Sequence, residues 1–394
     1  MARKSYLGVD LGTSGIKIAQ LENFRGQPKL VTYGYAEAKF DIIRDQSKSL
    51  QTTVADLLGK VRARAHVTTK QSIAALPTFA VFNSIISLPR MSRRDLSTAI
   101  KWEAKKFIPL PIEEMILSHK ILDGANATLA EKLFTMNMGA ILKKKDAKKE
   151  TPEPAGPLQK GAGALPPKPD EKKQAPEPDA SKNNLRILLT AAPKTLVARY
   201  IEIFKAANLN LLSLETEAFA LSRSLIGVDM ENVMIVDIGS SATNICLIEK
   251  GVPVLNRGLD IGGYNITKSI SNSLNVSFDR AEQFKLDFGI RMQEQRGGIP
   301  DAIKDSLQPI INEIQYVFEL YQNQGSLQVD RILLSGGSAF LPNLPEYLKQ
   351  LLQIPVYVAN PWDRVVYPLD LKPVLESIGP QMAVSVGLAM RNIS

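Results

Sequence analysis

The chain reads Gly8-Val9-Asp10-Leu11-Gly12-Thr13-Ser14 near its start and Ile235-Val236-Asp237-Ile238-Gly239-Ser240-Ser241 past its middle. Each stretch is an apolar run that ends in Asp, an aliphatic residue, Gly and two hydroxyl residues. A second strand-like run follows each, Ile16 to Leu21 and Thr243 to Ile248. Two β-hairpins are expected, with tight turns that face one phosphate group from opposite sides. Gly12 and Gly239 permit turn dihedrals and a close backbone approach, and successive N–H groups in such a turn form an anion-binding concavity. Thr13, Ser14, Ser240 and Ser241 add hydroxyl donors, and Lys17 adds a positive charge for the outer phosphates. Asp10 and Asp237 would repel bare phosphate, so they imply Mg²⁺ held between them through its retained waters. One such motif alone reads equally well as a polar turn between buried strands. Two in the same register, each opening its own half of the chain, point to a duplicated phosphate loop.

The composition narrows the setting. At 394 residues the chain exceeds one ordinary core, so two or more domains are expected. Hydrophobic and charged contents of 44% and 22% are those of a soluble globular protein. The single cysteine, Cys246, excludes an intramolecular disulfide framework and agrees with a reducing compartment. It lies in the apolar run Ile245 to Ile248, which favours a buried thiol over a reactive one. No apolar run is long enough to cross a bilayer, and Met1-Ala2-Arg3-Lys4 leads straight into a strand without a signal-peptide core. A cytoplasmic location is expected. Of the net charge of +8, +3 belongs to residues 143–183, which hold ten Lys against seven Asp or Glu. The remainder lacks the aromatic interleaving of a single-strand binder, so nucleic-acid binding is not expected. His66 and His119 have no His or Cys at ligand spacing, which argues against a metal centre or a triad built on them.

Along the chain, Lys29 to Tyr35 reads as a third strand, and Leu50 to Ala65 as a helix with Val54, Leu57, Leu58 and Val61 on one face. Ser72 to Pro77 reads as a buried strand. From Val81 a small α/β module begins: a strand to Leu88, then a helix capped by Ser92 with Asp95. That helix carries Leu96, Ile100 and Phe107 on one side and is stopped near Pro109 and Pro111. Strands Met115 to Leu122 and Leu185 to Ala191 follow. A helix from Lys194 to Ala207, with Leu196, Tyr200, Ile203, Phe204 and Ala207 on one stripe, closes the module. Residues 143–183 interrupt it with eight Pro and Thr151 as the sole β-branched residue, a composition expected to stay disordered. This tract reads either as a passive insertion or as an electrostatic tether to anionic lipid or an acidic partner.

Further strands are expected at Leu209 to Leu214 and around Val254, and Glu217 to Leu221 opens a helix. Gly262-Gly263 precedes a helix with Ile266, Ile270 and Leu274 inward, and Phe278 to Gly289 forms a charged one. In the helix Ala302 to Tyr321, Pro309 should mark a kink or the true start. The strand Arg331 to Leu334 runs into Ser335-Gly336-Gly337-Ser338, a helix spans Leu344 to Leu352, and an amphipathic helix from Gln381 to Met390 closes the chain.

Two phosphate hairpins and then a strand–Gly-Gly–helix unit, in that order, resemble the actin-like ATPase superfamily. The resemblance implies an α/β fold of two RNase H-like domains around a nucleotide cleft, with ATP and Mg²⁺ as cofactors. It implies that Gly336, Gly337, Ser338 and Phe340 line the adenosine side with Gly263. Ala281-Glu282-Gln283-Phe284-Lys285 is similar to a helix of MreB and FtsA whose Glu bonds the ribose and whose Lys lies along the base. The generic alternative for Glu282 and Lys285 is a solvated helix face. Glu217 falls where the superfamily sets a catalytic carboxylate near the metal-bound or attacking water, and is equally an acid favoured at a helix N-terminus. Gly387 falls where a small residue packs between domains.

The module after residue 81 resembles subdomain 1C of FtsA. The pattern Trp102-Glu103…Phe107-Ile108-Pro109, with Ala191-Ala192-Pro193-Lys194 and Leu214 to Leu221, resembles the PilM family of type IV pilus assembly. That resemblance implies subdomain 1A at 1–80 and 209–230, 1C at 81–208, 2A at 231–262 and 329–394, and 2B at 263–328. It implies an ATP-binding scaffold with slow or absent hydrolysis, peripheral at the inner membrane. The expected partner is the cytoplasmic N-terminal tail of PilN, held between 1A and 1C, and through it PilO, PilP and the pilus motor ATPases. A ring or other homo-oligomer is also implied. Exposed apolar side chains expected near Ile85–Leu88 and Leu209–Leu212 are candidate contacts. Because FtsA ends in a membrane-binding tail and this sequence stops at Ser394, membrane contact is expected through partners alone. The alternatives are an FtsA-like division or filament-forming ATPase, a type II secretion homologue, and a phosphotransferase of the sugar-kinase type.

Overall fold

The computed structural model describes residues 4–108, 110–122, 136–137, 184–290, 299–323 and 328–393; residues 143–183 therefore lie outside the described part. The chain opens with an antiparallel meander, β1 (Ser5–Gly12), β2 (Gly15–Phe24) and β3 (Gln27–Glu37). Helix α1 (Lys48–Arg64) follows, capped by Ser47, whose hydroxyl accepts from the Leu50 N–H. Strand β4 (Gln71–Leu76) then pairs parallel to β1. After the small module of β5 (Phe82–Pro89), α2 (Arg93–Phe107) and β6 (Met115–Ile121) come β7 (Met136–Asn137), β8 (Asn184–Pro193), α3 (Lys194–Ala206), β9 (Asn210–Thr216) and α4 (Glu217–Leu221).

The second half repeats the plan. Strands β10 (Val233–Ile238), β11 (Thr243–Glu249) and β12 (Val252–Leu259) form another meander. Helices α5 (Gly263–Leu274), α6 (Phe278–Phe288) and α7 (Ile299–Gln322) lead to β13 (Arg331–Ser335), parallel to β10. Then come α8 (Leu344–Leu352), β14 (Val356–Val358) and α9 (Lys372–Met390). The sheet orders are β3-β2-β1-β4-β9-β7 and β12-β11-β10-β13-β14, so five strands of each sheet share one topology. A three-stranded sheet, β5-β8-β6, makes the small module.

Burial explains the layering. Leu7, Val9 and Leu11 of β1 face α1 and α3, where Val54, Leu58, Tyr200 and Phe204 complete one core. Met234, Val236 and Ile238 of β10 face α5, α7 and α8 in an equivalent core. Between the sheets, Ile73, Ile235 and Cys246 pack against Ala383, Val384 and Leu388 of α9. Helix α9 is thus covered on all sides from Met382 to Met390. A stripe of one polarity was expected there; a helix between two sheets is instead apolar all round, and it begins at Lys372.

Other expectations need correction. Phe107 is exposed although it lies in line with Leu96 and Ile100. The helix ends at that residue, and the extended cap residue Ile108 fills the inner position beside Ala104. The helix from Lys194 does not close the small module: its whole stripe is buried with α1 in the first core. Pro309 lies inside α7, ten residues past its start. It is exposed, as is Asp305, whose carbonyl loses its helical donor, so water can take that donor's place. Leu209 and Leu211, offered as exposed contacts, are buried in the first core, while Ile85 packs beside Leu188 and Phe219 where the module meets α4.

The close approach of α9 rests on two glycines. A Cβ at Gly387 would stand 1.9 Å from the Ala220 carbonyl oxygen, and one at Gly8 1.9 Å from that of Ser385. Gly387→Ala is therefore expected to destabilise the protein by on the order of 3 kcal/mol through overpacking. Gly59→Ala, in α1, adds a Cβ that meets nothing within 4 Å and should stabilise by about 0.5–1 kcal/mol. Urea unfolding of both variants checks the pair: shifts of the same sign would contradict the packing.

Candidate functional site

The β1–β2 register sets Gly12 opposite Gly15, leaving Thr13-Ser14 as a two-residue turn. In β10–β11, Ile238 pairs with Thr243 and the Gly239 N–H donates to the Ala242 carbonyl at 2.9 Å, closing the second turn. Asp10, Gly12, Thr13, Ser14 and Lys17 from the first hairpin line one cavity with Asp237, Gly239, Ser240 and Glu217. Ser241 does not line it and is exposed. The cavity measures about 80 Å³. That suits a phosphate-sized anion or a hydrated cation and is far below the roughly 300–1,000 Å³ of whole small-molecule sites.

Each aspartate ends the central strand of its sheet, and the residue across the hairpin is its partner. Lys17 stands opposite Asp10 and donates to Oδ2 at 3.4 Å. Asn244 stands opposite Asp237, and Ser335 lies beside it on β13. Burial pushes the Asp237 carboxyl up to about 6, against the opposing influence of Ser335, Lys17 and Asn244 beside it. Glu217, at the first position of α4, accepts at Oε2 from the Thr78 N–H (3.0 Å), the Thr78 hydroxyl (2.9 Å) and Asn244 Nδ2 (2.9 Å). Thr78 follows β4 and Asn244 lies on β11, so this carboxylate ties the two sheets together. Burial, then the charges of Asp10 and Asp237, push its pKa up to about 8.

The segment after β3 forms a strap over the cavity. Phe40, Asp41, Ile42 and Ile43 line it. The strap is held to the first turn by the Ala38 N–H donating to the Ser14 carbonyl at 3.1 Å, and to α3 by Arg199 donating to the Ile42 carbonyl. Arg44 reaches across to Asp260 at 2.7 Å, and Lys39 lies 5.3 Å from the Tyr264 ring and 5.5 Å from that of Phe278. A ligand larger than phosphate needs this strap, or the two sheets behind it, to open.

The remaining expected residues gather beside the second turn rather than in the cavity. The Gly263 and Tyr264 N–H groups donate to the Gly239 and Ser240 carbonyls at 2.9 and 2.8 Å, docking α5 on that turn. A Cβ on Gly263 would stand 2.6 Å from Ser338 Oγ. Lys285 is buried and donates to Glu282 Oε2 (2.8 Å), Thr267 Oγ1 (3.0 Å) and the Gly263 carbonyl (3.4 Å). Glu282 and Lys285 thus form a fixed pair, not the solvated face offered as the alternative. Gly336 has φ 81° and approaches the Ile238 carbonyl, whereas a Cβ on Gly337 would meet open space. Phe340 ends the following turn and is exposed.

Sequence reasoning missed Thr78, Asn244 and the strap. Asn244 was findable: it follows Asp237 by the same seven residues that separate Lys17 from Asp10. Thr78 and the strap carry no periodic signal and are brought in only by tertiary packing. Among the described residues, no group of three His, Cys, Asp or Glu is arranged to hold a metal ion directly.

Comparison with known proteins gives three findings. A family model described as "Type IV pilus assembly protein PilM" matches residues 8–146 and 172–393. A solved PilM-PilN type IV pilus biogenesis complex is similar over all of both chains, with TM-score 0.75 and 22% identity, which shows a common fold. FtsA cell division proteins are similar over part of their length. That of Staphylococcus epidermidis is 22% identical over 216 residues (49% of this chain, 46% of FtsA), and that of Bacillus subtilis 24% over 194 residues (44% of each). The chain thus spans less than half the length of these curated relatives.

A raised carboxyl sets the sign of a pH effect. Glu217 holds its proton to about pH 8 when folded, against an ordinary 4.5. Its contribution to stability is full below pH 4.5 and is lost as pH rises through 8. Glu217→Gln keeps the acceptor oxygen without the charge. Thermal melts of the ligand-free protein should show the variant gaining on wild type between these pH values; a constant difference would mean that Glu217 is not perturbed.

Proposed function

The chain belongs to the type IV pilus assembly protein PilM family of actin-like fold, and from that premise we propose that it is an ATP-binding scaffold of the pilus assembly machine. One observation carries the nucleotide reading. Two glycine turns and both aspartates, from opposite halves of the chain, line a single phosphate-sized cavity.

In this reading the backbone N–H groups and hydroxyls of Thr13, Ser14 and Ser240 bind the outer phosphates, with Ser241 at the rim, and Lys17 supplies positive charge. Asp10 and Asp237 accept hydrogen bonds from the waters of Mg²⁺. Glu217, fixed at Oε2 by Thr78 and Asn244, orients a further water. Gly263, Glu282, Lys285, Gly336, Gly337, Ser338 and Phe340 form the nucleoside side. Glycine at 337 has no reason within the chain itself, and a ligand edge lying against it would supply one. In Mg–ATP the cation would supply the positive charge that the carboxylates face, and the two turns would hold the phosphates from either side.

The second part of the proposal concerns the partner. The crease where Ile85, Leu188 and Phe219 meet joins the small module to the first sheet, close to Glu217 on α4. The cytoplasmic tail of a PilN-like inner-membrane protein, docked there, would sense the cleft through α4. Such coupling is reciprocal: the tail changes ATP affinity by the factor by which ATP changes tail affinity. No helix among the described residues is long and apolar enough to cross a membrane, and the partner tail would hold the protein at the inner membrane.

Asp10→Ala and Asp237→Ala are each expected to weaken Mg–ATP binding by about tenfold or more, the loss of one charge-assisted interaction. Calorimetric titration with the fold checked by circular dichroism decides it. Unchanged affinity in both variants would remove the proposed site.

A further inference from the structure

Helix α2 presents an outward face that the pilus and nucleotide readings leave unused. Its inner stripe of Leu96, Ile100 and Ala104 is buried against the three-stranded sheet. At 3.6 residues per turn, Trp102 falls opposite that stripe, at the centre of the solvent face. Trp102 is 66% exposed. Arg94, Lys101, Lys105 and Lys106 are exposed around it, with Lys105 Nζ 5.0 Å from the indole ring.

The acidic groups of the helix are already engaged. Asp95 accepts from the Ser92 hydroxyl at 2.7 Å, and Glu103 pairs with Lys106 at 2.8 Å. Arg94 and Lys101 have no carboxylate partner among the described residues. Glu113 and Glu114, beyond Pro111, are the nearest further acids in the chain. The face is a convex helix surface, and no α2 residue lines the cavity between the two glycine turns. A helix can also pack on a convex helix surface, but the cations here that lack a carboxylate call for a negative partner, and an anionic headgroup layer is one that conforms to a convex patch.

We propose that the outward face of α2 docks on an anionic lipid surface, with Trp102 in the headgroup layer and Arg94, Lys101 and Lys105 against the lipid phosphates. An exposed indole ringed by lysines is the chemistry of an interfacial helix: the ring is apolar with one polar edge, and the ammonium groups meet negative charge. The contact would act alongside a partner tail, since one weak surface signal gives only reversible binding.

The two tryptophans make the test direct. Trp362 is fully buried and Trp102 is exposed, so a vesicle-induced change in emission reports Trp102. The full chain is titrated with equimolar phosphatidylcholine–phosphatidylglycerol vesicles and with pure phosphatidylcholine vesicles, and partitioning is measured by sedimentation. A blue shift and binding with the anionic vesicles alone, weakened at about 0.5 M salt, is expected. Lys101→Ala/Lys105→Ala should lose about 30-fold in partitioning, from two surface lysines near an anionic bilayer, while Lys101→Arg/Lys105→Arg retains binding. Equal binding to neutral vesicles, no response to anionic ones, or no loss in the alanine variant would overturn the proposal. Soluble polyglutamate that shifts the emission when vesicles do not would overturn it in favour of an acidic protein partner.

Discussion

Three carboxylates, the buried Asp10 and the half-buried Asp237 and Glu217, share one small cavity with Lys17 as the lysine lining it. Like charges in a poorly hydrated space disfavour one another, and the carboxyls of Glu217 and Asp237 are pushed toward their protonated forms. It also spends donors: Lys17 on Asp10, and Thr78 and Asn244 on Glu217. Apolar residues would fill such a cavity at lower free energy. Retaining acids there makes sense where a cation and an anion arrive together.

The scaffold delivers those groups by repetition. A meander followed by two parallel strands occurs in both sheets, so each central strand runs out at an aspartate and a glycine turn. Helix α9 fixes the distance between them, because Gly8 and Gly387 bring its backbone against β1 and α4. Glu217 starts the short helix that Gly387 touches, so the carboxylate, the packed helix and both sheets form one mechanical unit. The strap, held by Arg44 to Asp260 and by Lys39 to Tyr264 and Phe278, spans the mouth. Separation of the sheets would therefore break the strap's contacts with Asp260, Tyr264 and Phe278.

Much of this was legible in the sequence because it is local. Strand periodicity, the Asp-x-Gly turns and the capping serine at 92 need only neighbours in the chain. What escaped depends on layers. The closing helix was read as amphipathic because Gln381, Ser385 and Gly387 interrupt its apolar run. Ser385 is nevertheless buried, donating to the Met382 carbonyl at 2.9 Å, and the glycine serves close packing. The stripe of the helix at Lys194 was identified correctly and its partner was not, since periodicity gives a face and never what covers it. Leu209 and Leu211 were offered as surface residues for the same reason. At the site, the aspartates, glycines and Lys17 announced themselves, while Thr78 arrives from another strand end altogether.

The central claim is that both glycine turns grip one phosphate chain at the same time. Amide hydrogen exchange on the full chain, with and without Mg–ATP, tests it most directly. Slowed exchange at residues 12–14 and 239–241 together, at the same nucleotide concentration, is the predicted result. Protection of one turn without the other, or of neither, would contradict the account.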